Sequence, residues 1–179
     1  MDTIRKVWKL ASSLKLQERR GWTEKTRIRH PESVADHSFA VALLGLVEAE
    51  KRGYNTEQTL KLALIHDLEE AITGDLTPLE KEKLGPSRVM RKKRDAMQQI
   101  IDVMPFETRR ELRRLWTELY LNQTREARLV HELDKLEMAL QAHEYAKKGL
   151  RSNFVDFYKL AGQEIKDARL RRTLEVLRG

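Results

Sequence analysis

The 179-residue chain contains no cysteine, which excludes disulfides and any mechanism built on a thiolate. Proline and glycine number only 4 and 8, and they do not gather with serine into the kind of stretch that separates domains. One domain over residues 1–179 is therefore expected. No N-terminal apolar run or stop-transfer segment is present, so the expected location is the cytoplasm and a membrane is not an expected partner. No segment alternates polar and apolar residues over strand length with β-branched enrichment, which points away from sheets and to an all-α, compact helical bundle. Aromatics make up 6% of residues and rarely fall among the basic runs.

Charge, by contrast, is abundant. Lysine and arginine total 35 against 28 acids, a net +7, so the average field draws anions without choosing among nucleic acid, lipid and small phosphates. The densest runs, Arg91-Lys92-Lys93-Arg94, Arg109-Arg110, Arg113-Arg114 and Arg171-Arg172, lie among acids such as Glu107, Glu111 and Glu118. They read as solvated helix faces, and nucleic acid is not the expected partner.

Apolar spacing predicts a first helix from about Thr3 to Lys15 with Ile4, Val7, Ala11 and Leu14 on one face, then a loop carrying Arg19, Arg20, Gly21 and Trp22. Ser33 and Asp36 form a capping-box start for a central helix running to Gly53, and Asn55 with Gln58 opens another that carries His66, Asp67 and Glu70 as far as Gly74. Thr77-Pro78 is placed in a connection, a helix runs from Ser87 to Met104 before Pro105, and Leu112, Leu115, Trp116 and Leu119 mark the next. Thr124 caps a long helix to Gly149, and a last helix begins near Asn153 and continues towards the end.

His37, the pair His66-Asp67 and the distant Asp134 come from three segments that are otherwise apolar. A lone buried histidine satisfied by a carbonyl, or an aspartate paired with one of the many arginines, would explain each residue separately. One divalent cation explains all four, because each would carry an uncompensated burial cost without it. Two nitrogen and two oxygen donors suit manganese, cobalt, nickel, iron or zinc, with magnesium also open. Glu70, one turn after Asp67, shares the metal face but lies outside the ligand set, where a carboxylate can take a proton from water. Glu69 points about 100° away and is expected in solvent. Asp75, in the turn after Gly74, reads either as a substrate contact or as a turn-former.

The stretches "PESVADHS", "HDLEEAITGD" and "LDKLEMALQAHEY" resemble the HD-domain superfamily of metal-dependent phosphohydrolases, and within it the 5'-deoxynucleotidase branch of HD domain-containing 2 proteins. The similarity runs from Trp22 to Tyr145. It implies a helical bundle, His37, His66, Asp67 and Asp134 as metal ligands, and Glu70 as the residue that assists the attacking water. It further implies that Asp75 touches the sugar hydroxyl or its leaving oxygen, and that the chain forms a homodimer.

Bacterial members of the branch place an arginine directly before a tryptophan to bind phosphate, whereas here Gly21 separates Arg20 from Trp22. Either Arg19 or Arg20 can supply the phosphate fork. Trp22 reads either as a wall for the sugar or as a core or dimer anchor. His30, His131 and His143 do not match the pattern of branches with a second metal, while Glu137 and Gln141 follow Asp134 at helical spacing and could orient a ligand.

The expected activity is hydrolysis of deoxyribonucleoside or ribonucleoside 5'-monophosphates to nucleoside and phosphate. A triphosphate, a cyclic nucleotide or an alarmone is the alternative substrate. A non-catalytic basic helical module with a structural metal is the alternative from another class.

Overall fold

The structure, a computed structural model, describes residues 2–26, 28–150 and 154–178. They form eleven helices and no strand: α1 (Thr3–Leu16), α2 (Arg20–Lys25), α3 (Val34–Arg52), α4 (Thr56–Ile65), α5 (Glu70–Thr73), α6 (Pro78–Leu84), α7 (Pro86–Val103), α8 (Phe106–Tyr120), α9 (Arg125–Lys147), α10 (Val155–Glu164) and α11 (Ala168–Arg178). The all-α bundle expected from the apolar spacing is what forms. No helix among the described residues is long and apolar enough to cross a membrane.

The caps that start the central helices are those the side chains dictate. Ser33 Oγ accepts from Asp36 N at 3.1 Å while Asp36 Oδ2 accepts from Ser33 N at 2.9 Å, so two orphan donors at the start of α3 are satisfied reciprocally. Gly53 ends α3 at φ 61°, a left-handed conformation that a residue with a Cβ adopts at a cost. Asn55 and Thr124 cap α4 and α9 by accepting from Gln58 N and Ala127 N.

Helices α3, α4 and α9 pack together as the centre of the molecule, with α10 and α11 laid against α9. Val41, Ala49, Leu62, Ala63, Leu133 and Ala139 fill their common core and are essentially buried. Gly45 makes the closest approach possible, since a Cβ there would stand 3.1 Å from Thr59 Cγ2. A second, smaller core gathers Trp22, Met138, Tyr145, Phe154 and Phe157 where α2, α9 and α10 meet.

Four stretches depart from the expected elements. Residues 20–25 form α2 rather than loop. Pro78–Leu84 form α6 rather than a connection, with Thr77 before it as the cap in a reciprocal bond with Glu80 and Pro78 in the first turn. The expected last helix is two, because Asp167 Oδ1 accepts from Arg169 N and Leu170 N and so starts α11 anew; its expected start at Asn153 lies outside the described residues. Finally, the helix expected to run through His66 to Gly74 is interrupted. Leu68 N, Glu70 N and Ala71 N each donate three residues back, to Ile65, Asp67 and Leu68, which is the tighter 3₁₀ winding.

Candidate active site

That tight winding decides which side chains share a face. Residues three apart eclipse in a 3₁₀ turn, so Glu70 stands directly after Asp67, and Glu69 after His66. Glu69 is accordingly not solvated as expected: it is 2% exposed and its Oε1 accepts from Lys93 Nζ of α7 at 2.6 Å. On the regular helix α9, Asp134 and Glu137 share one face at the ordinary i, i+3 spacing, and His37 descends from the first turns of α3 into the same space, fully buried.

The four expected ligands converge. His37, His66 and Asp134 offer donor atoms that all lie within 4.8 Å of one another. His37 Nε2 is 3.2 Å from His66 Nε2 and 3.2 Å from Asp134 Oδ1. Asp67 stands just outside this tight set, its Oδ2 3.3 Å from His66 Nε2, 3.8 Å from His37 Nε2 and 3.3 Å from Arg19 Nη1.

The outer ring nitrogens are already engaged, His66 Nδ1 with Ala63 O at 2.7 Å and His37 Nδ1 with Glu137 Oε2 at 2.5 Å. With Nδ1–H donated outward, each ring, when neutral, turns the lone pair of Nε2 inward. Two lone pairs facing each other beside two carboxylates repel unless a proton or a cation lies between them. This donor set fits a divalent cation.

The surrounding charges follow the same logic. Burial and the Arg19 charge push His37 down, but bonds to Asp134 and Glu137 prevail and hold it at about 9, so a proton on Nε2 meets the demand for positive charge wherever a cation does not. Burial favours neutral Asp67 and Asp134, yet His66 on the one and Lys135 and His37 on the other keep both well below the usual carboxylate range. Glu70 goes the other way: burial first, then the charges of Asp67 and Asp75, push it up to about 9. Its Oε2 is buried without a hydrogen-bond partner among the described residues.

A pocket of about 130 Å³ opens over these groups, lined among others by Arg19, Trp22, Asp67, Glu70, Asp75, Asp134 and Lys135. Asp75 enters it from the turn after α5 with its Oδ2 accepting from Arg20 N at 2.7 Å. The two candidate arginines separate here. Arg19 faces the pocket and Asp67, whereas the Arg20 side chain is turned to Glu80, with Nη1 3.0 Å from both carboxylate oxygens. Trp22 borders the pocket but is 1% exposed, stacked on Phe157 at 4.2 Å and edge-on to Tyr145 at 5.2 Å. It is an anchor of the smaller core whose edge forms part of the pocket wall.

The sequence pattern of the HD domain matches residues 11–173. This chain belongs to the HD-domain family. It is 39% identical over 145 residues to the 5'-deoxynucleotidase HDDC2 of Danio rerio, covering 81% of this chain and 70% of that protein. Against the Homo sapiens 5'-deoxynucleotidase HDDC2 the identity is 36% over 152 residues, 83% of this chain and 72% of that one. Among solved structures, a protein from Pyrococcus horikoshii superposes with a TM-score of 0.77 at 35% identity, over 98% of this chain and 96% of that one. A conserved hypothetical protein from Pyrococcus furiosus gives 0.72 at 34% identity over 95% and 96%.

In this HD domain three groups at the site escape a reading by spacing alone. Lys135 points into the pocket and donates to Asp134 Oδ2 at 2.8 Å. Lys25, from the unexpected helix α2, borders the pocket and pairs with Asp156 of α10 at 3.5 Å. Glu32 lies beneath, its side chain 7% exposed, close to both His37 and Glu137. Lys135 and Glu32 both lie in the stretches that carry the resemblance, but spacing assigns neither a role: Lys135 is only a neighbour of Asp134, and Glu32 precedes a helix and meets its partners through the fold.

Proposed function

We propose that this HD-domain protein hydrolyses nucleoside 5'-monophosphates, deoxyribonucleotides among them, to the nucleoside and inorganic phosphate, using one divalent cation held by His37, His66, Asp67 and Asp134. The observation that carries this reading is the convergence of two inward imidazole nitrogens and two carboxylates beneath a pocket bordered by an arginine and a buried acid. The names of the relatives support the choice of substrate.

A cation bound there supplies Lewis acidity, polarising the phosphoryl group and making a water acidic. The protein's own groups do the rest. Arg19, which burial opposes but Asp67, Asp134 and Glu32 hold charged, presents a planar fork to the phosphate oxygens. Lys135 adds a second positive charge on the α9 side of the pocket.

Glu70 takes the water proton at its unpartnered oxygen. It becomes a base once the charge of Asp67 is engaged elsewhere, since after burial that charge is what raises it most. As the water oxygen bonds to phosphorus, the bond from phosphorus to the 5'-oxygen breaks and that oxygen takes up a proton from solvent, while Glu70 afterwards returns the water proton to solvent. Asp75, held by the Arg20 amide, is placed to meet a sugar hydroxyl or that departing oxygen. Trp22 and Phe157 exclude water from one side.

A second copy of the chain is the proposed partner. A groove of about 800 Å³ between α1, α3, α4 and α8 is lined by Leu10, Leu14, Phe39, Leu64 and Leu68, and Phe39 and Leu64 are 70% and 61% exposed. Apolar surface of this kind marks an interface in a soluble protein. Light scattering of the F39E/L64E variant is expected to give a monomer from a dimeric parent.

The function is tested by stripping metal with a chelator, restoring one divalent ion at a time, and measuring phosphate released from matched ribo- and deoxyribonucleoside monophosphates. Release that needs no cation, or that occurs only from triphosphates or cyclic nucleotides, overturns the assignment.

A further inference from the structure

Arg19 is shared between two carboxylates, and the chain goes to some length to keep it so. Its Nη1 lies 3.3 Å from Asp67 Oδ2 and its Nε 3.9 Å from Glu32 Oε1. The backbone brings the two residues side by side and leaves the direction of the guanidinium to the side chains around it. Arg19 N donates to Glu32 O at 3.0 Å and Val34 N to Gln17 O at 2.8 Å, a two-rung pairing of residues 17–19 with 32–34.

Glu32 is itself fixed at three atoms. Its amide donates to Tyr145 Oη at 2.8 Å, its carbonyl accepts from Arg19 N at 3.0 Å and its Oε1 accepts from Trp22 Nε1 at 2.9 Å. Bonds to two aromatic side chains exceed what closing a turn requires. The carboxylate faces a guanidinium whose other end competes for Asp67, the one expected ligand that stands outside the tight set of donors.

A cation and an arginine cannot both take the full charge of Asp67. Like charges a few ångströms apart in a buried site repel far more strongly than they do in water. Whatever draws the guanidinium away from Asp67 therefore strengthens cation binding.

We propose that Glu32 is a positioning residue that takes up Arg19 when a divalent cation claims Asp67, offering the guanidinium a second carboxylate and leaving its fork to the phosphate. The inference rests on the metal reading given above, and it assigns to a residue outside the ligand set the division of labour between Arg19 and Asp67. Substitution of a group that orients a ligand from outside typically weakens metal affinity by about 10–100-fold, and an effect of about tenfold is expected here.

The test is a double-mutant cycle read by cobalt binding to chelator-stripped protein in calorimetry at pH 8, without substrate. Glu32→Gln keeps an oxygen for the Trp22 indole but removes the charge that faces Arg19. In the presence of Arg19 this substitution is expected to weaken cobalt affinity about tenfold. In an Arg19→Gln background it is expected to change affinity less than about twofold, because no guanidinium remains to be held. Glu32→Asp, which withdraws the charge by one methylene, gives the second arm, with an intermediate loss when Arg19 is present and none when it is not.

Equal losses in both backgrounds would mean that Glu32 acts only through its general negative field or through the fold, and would overturn the proposal. Failure of the unsubstituted protein to bind cobalt would overturn the metal reading itself, and this inference with it. Thermal melting of each variant identifies a loss that comes from unfolding.

Discussion

The clasp that Arg52 makes with Glu48 and Asp167 and the nest around His37 are built from the same kinds of side chain, but they close their charges differently. In the clasp, Arg52 Nη1 and Nη2 reach the two oxygens of Asp167 at 2.6 and 3.2 Å while Nε and Nη2 meet Glu48 Oε2 at 3.1 and 3.0 Å. Each guanidinium nitrogen has an acceptor, and the three side chains tie the end of α3 to the start of α11. In the nest, Glu32, Asp67, Glu70, Asp134 and Glu137 gather around two imidazoles, Arg19 and Lys135, and one buried carboxylate oxygen has no partner among the described residues. The clasp is complete as it stands and contributes to stability. The nest retains a demand for positive charge, and that demand is what a catalytic site can use.

The contrast can be measured. Asp134→Asn removes a proposed ligand, and turnover is expected to fall by at least about 10³-fold, since both the cation and its polarising charge are lost; the melting temperature should move little, and the metal content read by elemental analysis should fall with the rate. Retained metal with retained turnover would remove Asp134 from the ligand set.

Glu70→Gln is expected to lower kcat by about 10²–10⁴-fold, the usual range for a general base, while metal content stays at the parent level. The same substitution separates function from stability. Because the Glu70 carboxyl is raised in the folded chain to about 9 from 4.5, the unfolded chain releases this proton first. Stability is therefore full below about pH 4.5 and is lost as pH rises towards 9. Chelator-stripped Glu70→Gln should be more stable than its parent at pH 8, by about 1–3 kcal/mol, and equal to it at pH 4, as read by denaturant unfolding at both values.

Arg52→Ala should do the reverse. It is expected to cost about 2 kcal/mol of stability, mainly by leaving Asp167 and Glu48 without their charge-assisted bonds, with turnover unchanged. The smallest effect is the pH dependence of the clasp. Arg52 first, and then the amides of Leu170 and Arg169, lower Asp167 from 3.8 to about 2, so the contribution is present above the unfolded value and fades as pH falls through 2. Solvent screening keeps that contribution to about 1 kcal/mol, and it should be reduced in acid titrations of Arg52→Ala.

The same contrast explains what could be read along the chain. Ser33, Asp36, Gly53, Asn55 and Thr124 act through neighbours within a few residues, so α3, the start of α4 and the start of α9 were legible from spacing and capping chemistry. The gathering of His37, His66, Asp67 and Asp134 was legible because each interrupts an apolar stretch where a charge needs an explanation. The 3₁₀ winding after Ile65 was not, since the apolar pattern continues across it and helical periodicity alone cannot distinguish 100° from 120° per residue. For that reason Glu69 was expected in solvent and is instead buried against Lys93. Helix α2 lacks a side-chain cap and is held by Trp22 packing on Phe157 and Tyr145, partners more than a hundred residues away. Glu32 and Lys25 derive their surroundings from that same distant packing.

Trp22 also has an optical consequence. Its indole is buried and bound to Glu32, while Trp8 is 60% exposed and Trp116 lies against Tyr120 on another part of the surface. Emission from Trp22 should sit to the blue of that from Trp8, and an occupant of the pocket touching the ring edge should alter its intensity. The wall of the site thus carries its own fluorophore, and titration of the Trp8→Phe variant can follow occupancy with no added dye.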